Sequence, residues 1–322
     1  MQIRFSLSTW ARLAVCATGV AAIAGCAPLT NEPTAVQQPT LPQTVKIRSN
    51  GRILQIPLED YVAGTVLSEV SPSGESDETV ARIFQVQAVI ARTYAVFELG
   101  RHQAEGFDLC DTTHCQVYDP SRLKTSKFAE SARAAVARTA GKILTYRGRA
   151  AETLFHADCG GYTDAADAVW GGSTVPYLPA SPDEVVPTTH RSWQTVVPAE
   201  KLRVALDADP RTRVGRRLSD LEIQTRDVSG RAAQIKVDGE FSQTVRGEDL
   251  RAVINQSLGE RAILSTRFTV RQMPSGYAFS GTGFGHGVGL CQVGAAARAR
   301  RGDSVDSILA HYFPATTAIT AR

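Results

Sequence analysis

Apolar positions along the chain fall into short runs whose period changes several times, and each change predicts an element. In VKIRSNGRILQI, Asn50-Gly51 separates two short apolar segments, which predicts a β-hairpin with a two-residue turn. PLEDYVAGTVLSEV follows. Pro57 suits a helix opening, Glu59 and Asp60 complement the dipole at a helix start, and Leu58, Tyr61, Val62 and Val66 recur near helical spacing. That helix should stop between Leu67 and Glu69, ahead of SPSGES. A second helix is expected from an Asp77 N-cap to about Leu99. Its apolar residues lie on nearly all sides, the pattern of a buried central helix. Gln87 and Arg92 stand out in that wall, because a buried arginine needs a partner or an opening to water.

Downstream, FDLCDTTHCQVYDP reads as a tight polar loop, followed by a helix near Phe128 to Thr139 and a hairpin turning at Arg147-Gly148. The pair Gly160-Gly161 marks a bend or a close approach of another segment. Trp170 and Tyr177 lie in a glycine- and proline-rich loop, as satellite core or as a platform for stacking sugars. Residues 195–280 form a second mixed segment, with the hairpin LEIQTRDVSGRAAQIKV and the helix GEDLRAVINQSLG stopped by Gly259. Helices and short strands interleaved in this way predict an α+β fold.

GTGFGHGVGL poses a separate question, since glycine occupies positions 281, 283, 285, 287 and 289. As a strand, this segment would put all five glycines on one bare face and Thr282, Phe284, His286, Val288 and Leu290 on the other. Such a face packs against another backbone or floors a groove for a flat ligand. It is no dinucleotide cradle, because G-x-G-x-x-G fails at Val288. His286 is either a satisfied core histidine or a site residue.

The N-terminus has a different character. Arg4 and Arg12 precede an apolar run from Leu13 to Ile23 that leads into IAGC, which predicts a signal peptide over residues 1–25 with Cys26 as a lipidated anchor. Residues 26–45, rich in Pro, Thr and Gln, read as a tether, and residues 46–316 as the folded domain. A net charge of +3 over 322 residues, with no basic stripe, gives no reason to expect a nucleic-acid partner. Beyond the signal run, no apolar segment is long enough to span a membrane. With Cys16 and Cys26 set aside, Cys110, Cys115, Cys159 and Cys291 remain, and an even number in an oxidising compartment predicts disulfides. A cysteine-histidine hydrolase is disfavoured, because His156 with Cys159 and His114 with Cys115 are sequence neighbours, which seldom form a working dyad.

LEDYVAGTVLSEV, VQAVIARTYAV, CDTTHCQVY, FHADCGGYT and GFGHGVGLCQVGAAARARRGDSVDSILAHYF, in this order, resemble the SpoIID/LytB family of peptidoglycan-acting proteins over about residues 46–316. The resemblance implies a bilobed domain around a substrate groove and a lytic transglycosylase that cuts peptide-stripped glycan strands to 1,6-anhydro ends. The alternative it carries is a non-catalytic glycan-binding enhancer of an N-acetylmuramoyl-L-alanine amidase. Glu69 takes the position of the catalytic glutamate, although Val70, Ser71 and Pro72 follow it where the sporulation protein has Met-Pro. Arg92, Gln116, Tyr118, Gly160, Gly161, His286 and Gln292 fall in family blocks and are expected to border or bind the glycan. The chemistry requires no cofactor. Some relatives hold zinc in the matching loop, so Cys110, Cys115 and His102 or His114 form either a zinc site or a Cys110–Cys115 disulfide, with Cys159 and Cys291 as a second pair. A cell-envelope location on a lipid anchor completes the expectation.

Overall fold

The computed structural model describes residues 39–183 and 192–321. The signal peptide, Cys26 and most of the tether lie outside the described residues. Two separate apolar cores divide the described chain into lobes, each built from helices and short sheets, so the α+β and bilobed expectations hold.

The first lobe comprises residues 39–183 and the chain from about residue 284 onward. It opens with the hairpin Thr44–Ser49 and Arg52–Pro57, turning through Asn50 and Gly51 at φ 49° and 74° as a two-residue turn requires. The helix Leu58–Glu69 starts directly after Pro57 and buries Tyr61, Val62 and Val66. The central helix Asp77–Phe97 is capped by Ser76, whose side chain accepts from Thr79 N–H at 3.3 Å, so the cap is one residue earlier than expected and Asp77 begins the first turn. The strand Leu109–Cys110 pairs parallel to Thr44–Ser49 and so anchors the cysteine loop to the sheet. The helix Ala129–Arg138 and the strands Lys142–Tyr146 and Arg149–Ala150 pack on the central helix, and Thr317–Thr320 extends their sheet beside Lys142–Tyr146.

The second lobe lies between these parts. Strand Gly276–Thr282 sits between Ser192–Pro198 and Phe268–Met273, and strand Ala232–Gly239 sits between Leu218–Arg226 and Ser242–Arg246. Helices Ala199–Asp207 and Gly247–Leu258 pack their apolar sides into a core of Leu202, Ile235, Leu250, Ile254 and Phe279. Among the described residues, no helix is long and apolar enough to cross a membrane.

The glycine-alternating strand is corrected. Only Gly281 belongs to a strand, and Gly283, Gly285, Gly287 and Gly289 adopt φ of 84°, 107°, 88° and 71°. The segment is a series of left-handed steps held by isolated pairings of Phe284 with Asp158 and Val288 with Asp164. Space forbids side chains there as well. A Cβ at Gly287 would lie 2.5 Å from the Arg231 guanidinium, and one at Gly289 would lie 2.2 Å from the Leu154 carbonyl oxygen. The alternation therefore reports backbone handedness and close packing.

Candidate active site in the groove between the lobes

A groove of about 730 Å³ runs between the lobes. The first lobe lines one wall with Glu69, Tyr94, Glu98, Arg101, His114 and Glu152. The second lobe supplies Glu248, Arg251, Gln256 and Arg261, while Phe155, Trp170, Phe284 and His286 form the floor.

Glu69 is the last residue of its helix, and the loop after Cys115 folds back over that end. Val117 N–H donates to Glu69 Oε1 at 2.7 Å, Asp119 N–H to Ser68 Oγ at 3.0 Å, and Arg122 Nη1 to the Leu67 carbonyl at 3.0 Å. Of these, the Leu67 carbonyl is a group that a helix C-terminus would leave without a partner. Burial raises the Glu69 carboxyl to about 7, although the Val117 hydrogen bond pulls it down. Oε1 is taken, and Oε2 has no hydrogen-bond partner among the described residues. A carboxyl half protonated at neutral pH and open on one oxygen is equipped to give a proton to a bound ligand and take one back.

Of the other expected site residues, His286 reaches the groove. Its Nδ1 accepts from Val288 N–H at 3.1 Å and its Nε2 contacts the Phe155 carbonyl at 3.0 Å, which fixes the neutral tautomer with the Nε2 proton. Burial, with Arg251 and Arg231 nearby, lowers its pKa to about 3. Both nitrogens are engaged, so the ring offers the groove a surface rather than a base. Trp170 lies 5.2 Å from that ring and is 43% exposed, so it is not satellite core.

The remaining expectations fall behind the wall. Arg92 is fully buried, bonded through Nε and Nη2 to Glu59 at 2.8 and 2.6 Å and through Nη1 to the Lys142 carbonyl at 3.1 Å. It is a core arginine with a partner and does not line the groove. Gln116 donates to Tyr61 Oη and the Ala91 carbonyl, each at 3.2 Å. Tyr118 packs on the bare backbone of Gly64, where a Cβ would approach to 2.4 Å. Gly160 and Gly161 take φ of 72° and 102° under the second lobe, and Gln292 contacts Gln87 at 3.5 Å. These residues brace the groove from within.

The helix Gly247–Leu258 was missed as a wall. Glu248, Arg251 and Asn255 follow each other at helical spacing, and Glu248 and Arg251 pair at 2.6 Å with about 15% of each side chain exposed. Charged residues recurring on one face of that helix were the available signal, but a helix pattern does not distinguish such a face from a solvated one.

The structure forms neither expected disulfide, and the four described cysteines are free thiols. Cys110 and Cys115 instead meet at 3.0 Å between sulfurs, with His102 Nε2 at 3.4 Å from Cys115 Sγ and His114 Nδ1 at 3.7 and 3.6 Å from the two sulfurs. His102 Nδ1 lies 2.7 Å from Glu105 Oε1, an acid positioned to orient the ring. Two sulfurs and two ring nitrogens gathered in this way match the donor set of a tetrahedral zinc site, although the sulfurs stand closer, at 3.0 Å, than the roughly 3.8 Å an ion between them would set. The loop leads within two residues to Val117.

A model of the stage II sporulation protein family (SpoIID) matches residues 48–146, and a second, described as a domain of unknown function, matches residues 187–289. The two matches fall in the two lobes. The stage II sporulation protein D of Bacillus amyloliquefaciens is 32% identical over 88% of this chain and 79% of its own length. An uncharacterized protein of Brachyspira hyodysenteriae is 32% identical over 80% of this chain and 66% of its own. The amidase enhancer of Bacillus subtilis (strain 168) is 30% identical over 72% of this chain, which spans 37% of that relative. Extended identity to a sporulation protein across both lobes closes the question of kinship: the chain belongs to the SpoIID family.

Proposed function

We propose that the protein is a lytic transglycosylase of the cell envelope that cleaves peptidoglycan glycan strands with Glu69 as its acid and base. The observation that carries this reading is a groove carboxyl raised to about 7 and fixed through one oxygen by Val117, with no cation bonded to it among the described residues. Protonated Glu69 gives its proton to the oxygen linking N-acetylmuramic acid to N-acetylglucosamine. The resulting carboxylate takes the proton of the muramic C6 hydroxyl as O6 closes on C1, leaving a 1,6-anhydro end. No water is consumed, and no second catalytic carboxylate at a glycosidase separation is needed. Trp170 supplies an exposed aromatic face for a sugar ring, and Gln256 and Arg261 supply donors on the opposite wall.

Zinc is proposed at His102, Cys110, His114 and Cys115, in place of the disulfide. When bound, the ion is structural, clamping the loop that delivers Val117 N–H to Glu69. The envelope location is proposed to rest on a lipid at Cys26 after removal of residues 1–25.

The second reading is a glycan-binding enhancer of a cell-wall amidase, favoured by the name of the Bacillus subtilis relative. Digestion of peptide-free glycan strands separates the two, read by the mass of the new ends. Saccharides lighter by one water than hydrolysis products support the transglycosylase. Binding without cleavage, together with stimulation of an added amidase, would favour the enhancer.

A further inference from the structure

A second cluster of metal-binding side chains lies beneath the glycine segment, apart from the cysteine loop. The strand Leu290–Cys291 pairs parallel to Phe155–His156, and this register brings His156, Cys159 and Cys291 together with their donor atoms all within 4.8 Å of one another. Cys159 and Cys291 are fully buried, and His156 is 4% exposed. We propose that these residues form a second metal site, holding a zinc-class divalent cation through His156 Nε2, Cys159 Sγ and Cys291 Sγ.

An orphaned nitrogen points most directly to a ligand. His156 Nδ1 lies 3.1 Å from the Val288 carbonyl, which can only accept, so Nδ1 carries the proton and Nε2 presents a lone pair. That Nε2 is buried and has no hydrogen-bond partner. An imidazole whose far N–H is fixed by a backbone carbonyl is the usual form of a metal-bound histidine.

Backbone groups also point at the sulfurs, although burial raises the Cys291 thiol. Cys159 N–H and Gly294 N–H approach Cys291 Sγ at 3.2 and 3.3 Å, and Gly161 N–H approaches Cys159 Sγ at 3.3 Å. Backbone N–H groups aimed at sulfur favour the thiolate, the form that binds metal. Two thiolates and a neutral imidazole cancel a divalent charge, which makes burial of the set feasible. A tetrahedral ion with Zn–S of about 2.3 Å and Zn–N of about 2.0 Å sets its donors roughly 3.5–3.8 Å apart, within the observed spread. Asp183 borders the cluster without joining it: its Oδ2 accepts from Cys159 Sγ at 3.4 Å and from Tyr312 Oη at 2.8 Å. Gly294 leaves room for it, since a Cβ there would lie 2.0 Å from Asp183 Oδ2. On binding, each thiol releases its proton to solvent and nothing is oxidised.

This site would staple the glycine segment that carries His286 to the segment that carries His156. Its test is a zinc count by native mass spectrometry on the full chain purified with zinc present. The C110S/C115S variant, which lacks the loop ligands, should retain about one ion per chain, and adding His156→Gln should remove it with the far-ultraviolet circular dichroism unchanged. His156→Gln alone should lose one ion relative to the wild type, which keeps the test open if the loop variant folds poorly. Zinc loading unaffected by His156→Gln, or a Cys159–Cys291 disulfide in the zinc-loaded protein, would overturn the proposal. A failure of the loop site is distinguishable, because wild type and C110S/C115S would then carry equal zinc.

Discussion

The two walls of the groove differ in how they treat charge. On the first lobe, Glu69 stands at a helix end with no cation bonded to it, and burial holds its proton to about 7. On the second, Glu248 is also buried and its pKa is also raised, but Arg251 is bonded to it at 2.6 Å and pulls in the opposite direction. The unpaired acid suits chemistry, whereas the paired one suits shape and recognition. The two acids thereby stand on lobes with separate cores.

Substitutions sharpen that contrast. Glu69→Gln should lower glycan cleavage by about 10²–10⁴-fold while glycan binding persists, measured by product release and by pull-down on insoluble peptidoglycan. Gly287→Ala strikes the junction, where Arg231 of the second lobe lies under the first-lobe glycine segment and donates to the Cys159 carbonyl at 2.9 Å. A left-handed φ combined with a 2.5 Å clash should cost about 3 kcal/mol, read as a lowered denaturation midpoint. Trp170→Ala removes the exposed platform and should weaken glycan binding by about 5–10-fold with stability unchanged.

A pH-dependent effect concerns stability. Folding raises the Glu69 carboxyl from 4.5 to about 7, so the folded state binds more protons between these values and loses stability relative to the unfolded chain as pH rises through that window. Glu69→Gln removes this loss. The variant should match the wild type near pH 4 and exceed it at pH 8 by up to about 3 kcal/mol in urea unfolding.

Local rules made much of the first lobe legible. Asn50-Gly51, Pro57 and the bounds of Leu58–Glu69 follow from turn and helix chemistry within a few residues. Glu69 itself was legible only through resemblance, because a glutamate after a helix reads as solvated until the Cys115–Asp119 loop covers it. The glycine segment misled for a physical reason: left-handed steps repeating every second residue have the same period as a strand. Arg92 and Tyr118 share sequence blocks with groove residues, but position along a chain does not give depth, and both turned inward. The second wall was invisible because half-buried charges and solvated charges read alike in a helix pattern.

The most direct test of the central claim is the pH dependence of glycan-strand cleavage by the wild-type protein at subsaturating substrate. A proton donor at about 7 predicts a rate that falls about tenfold per pH unit above neutrality, with 1,6-anhydro ends as products throughout. A rate that stays level or climbs as pH rises from 7 to 9 would contradict the assignment of Glu69 as the acid.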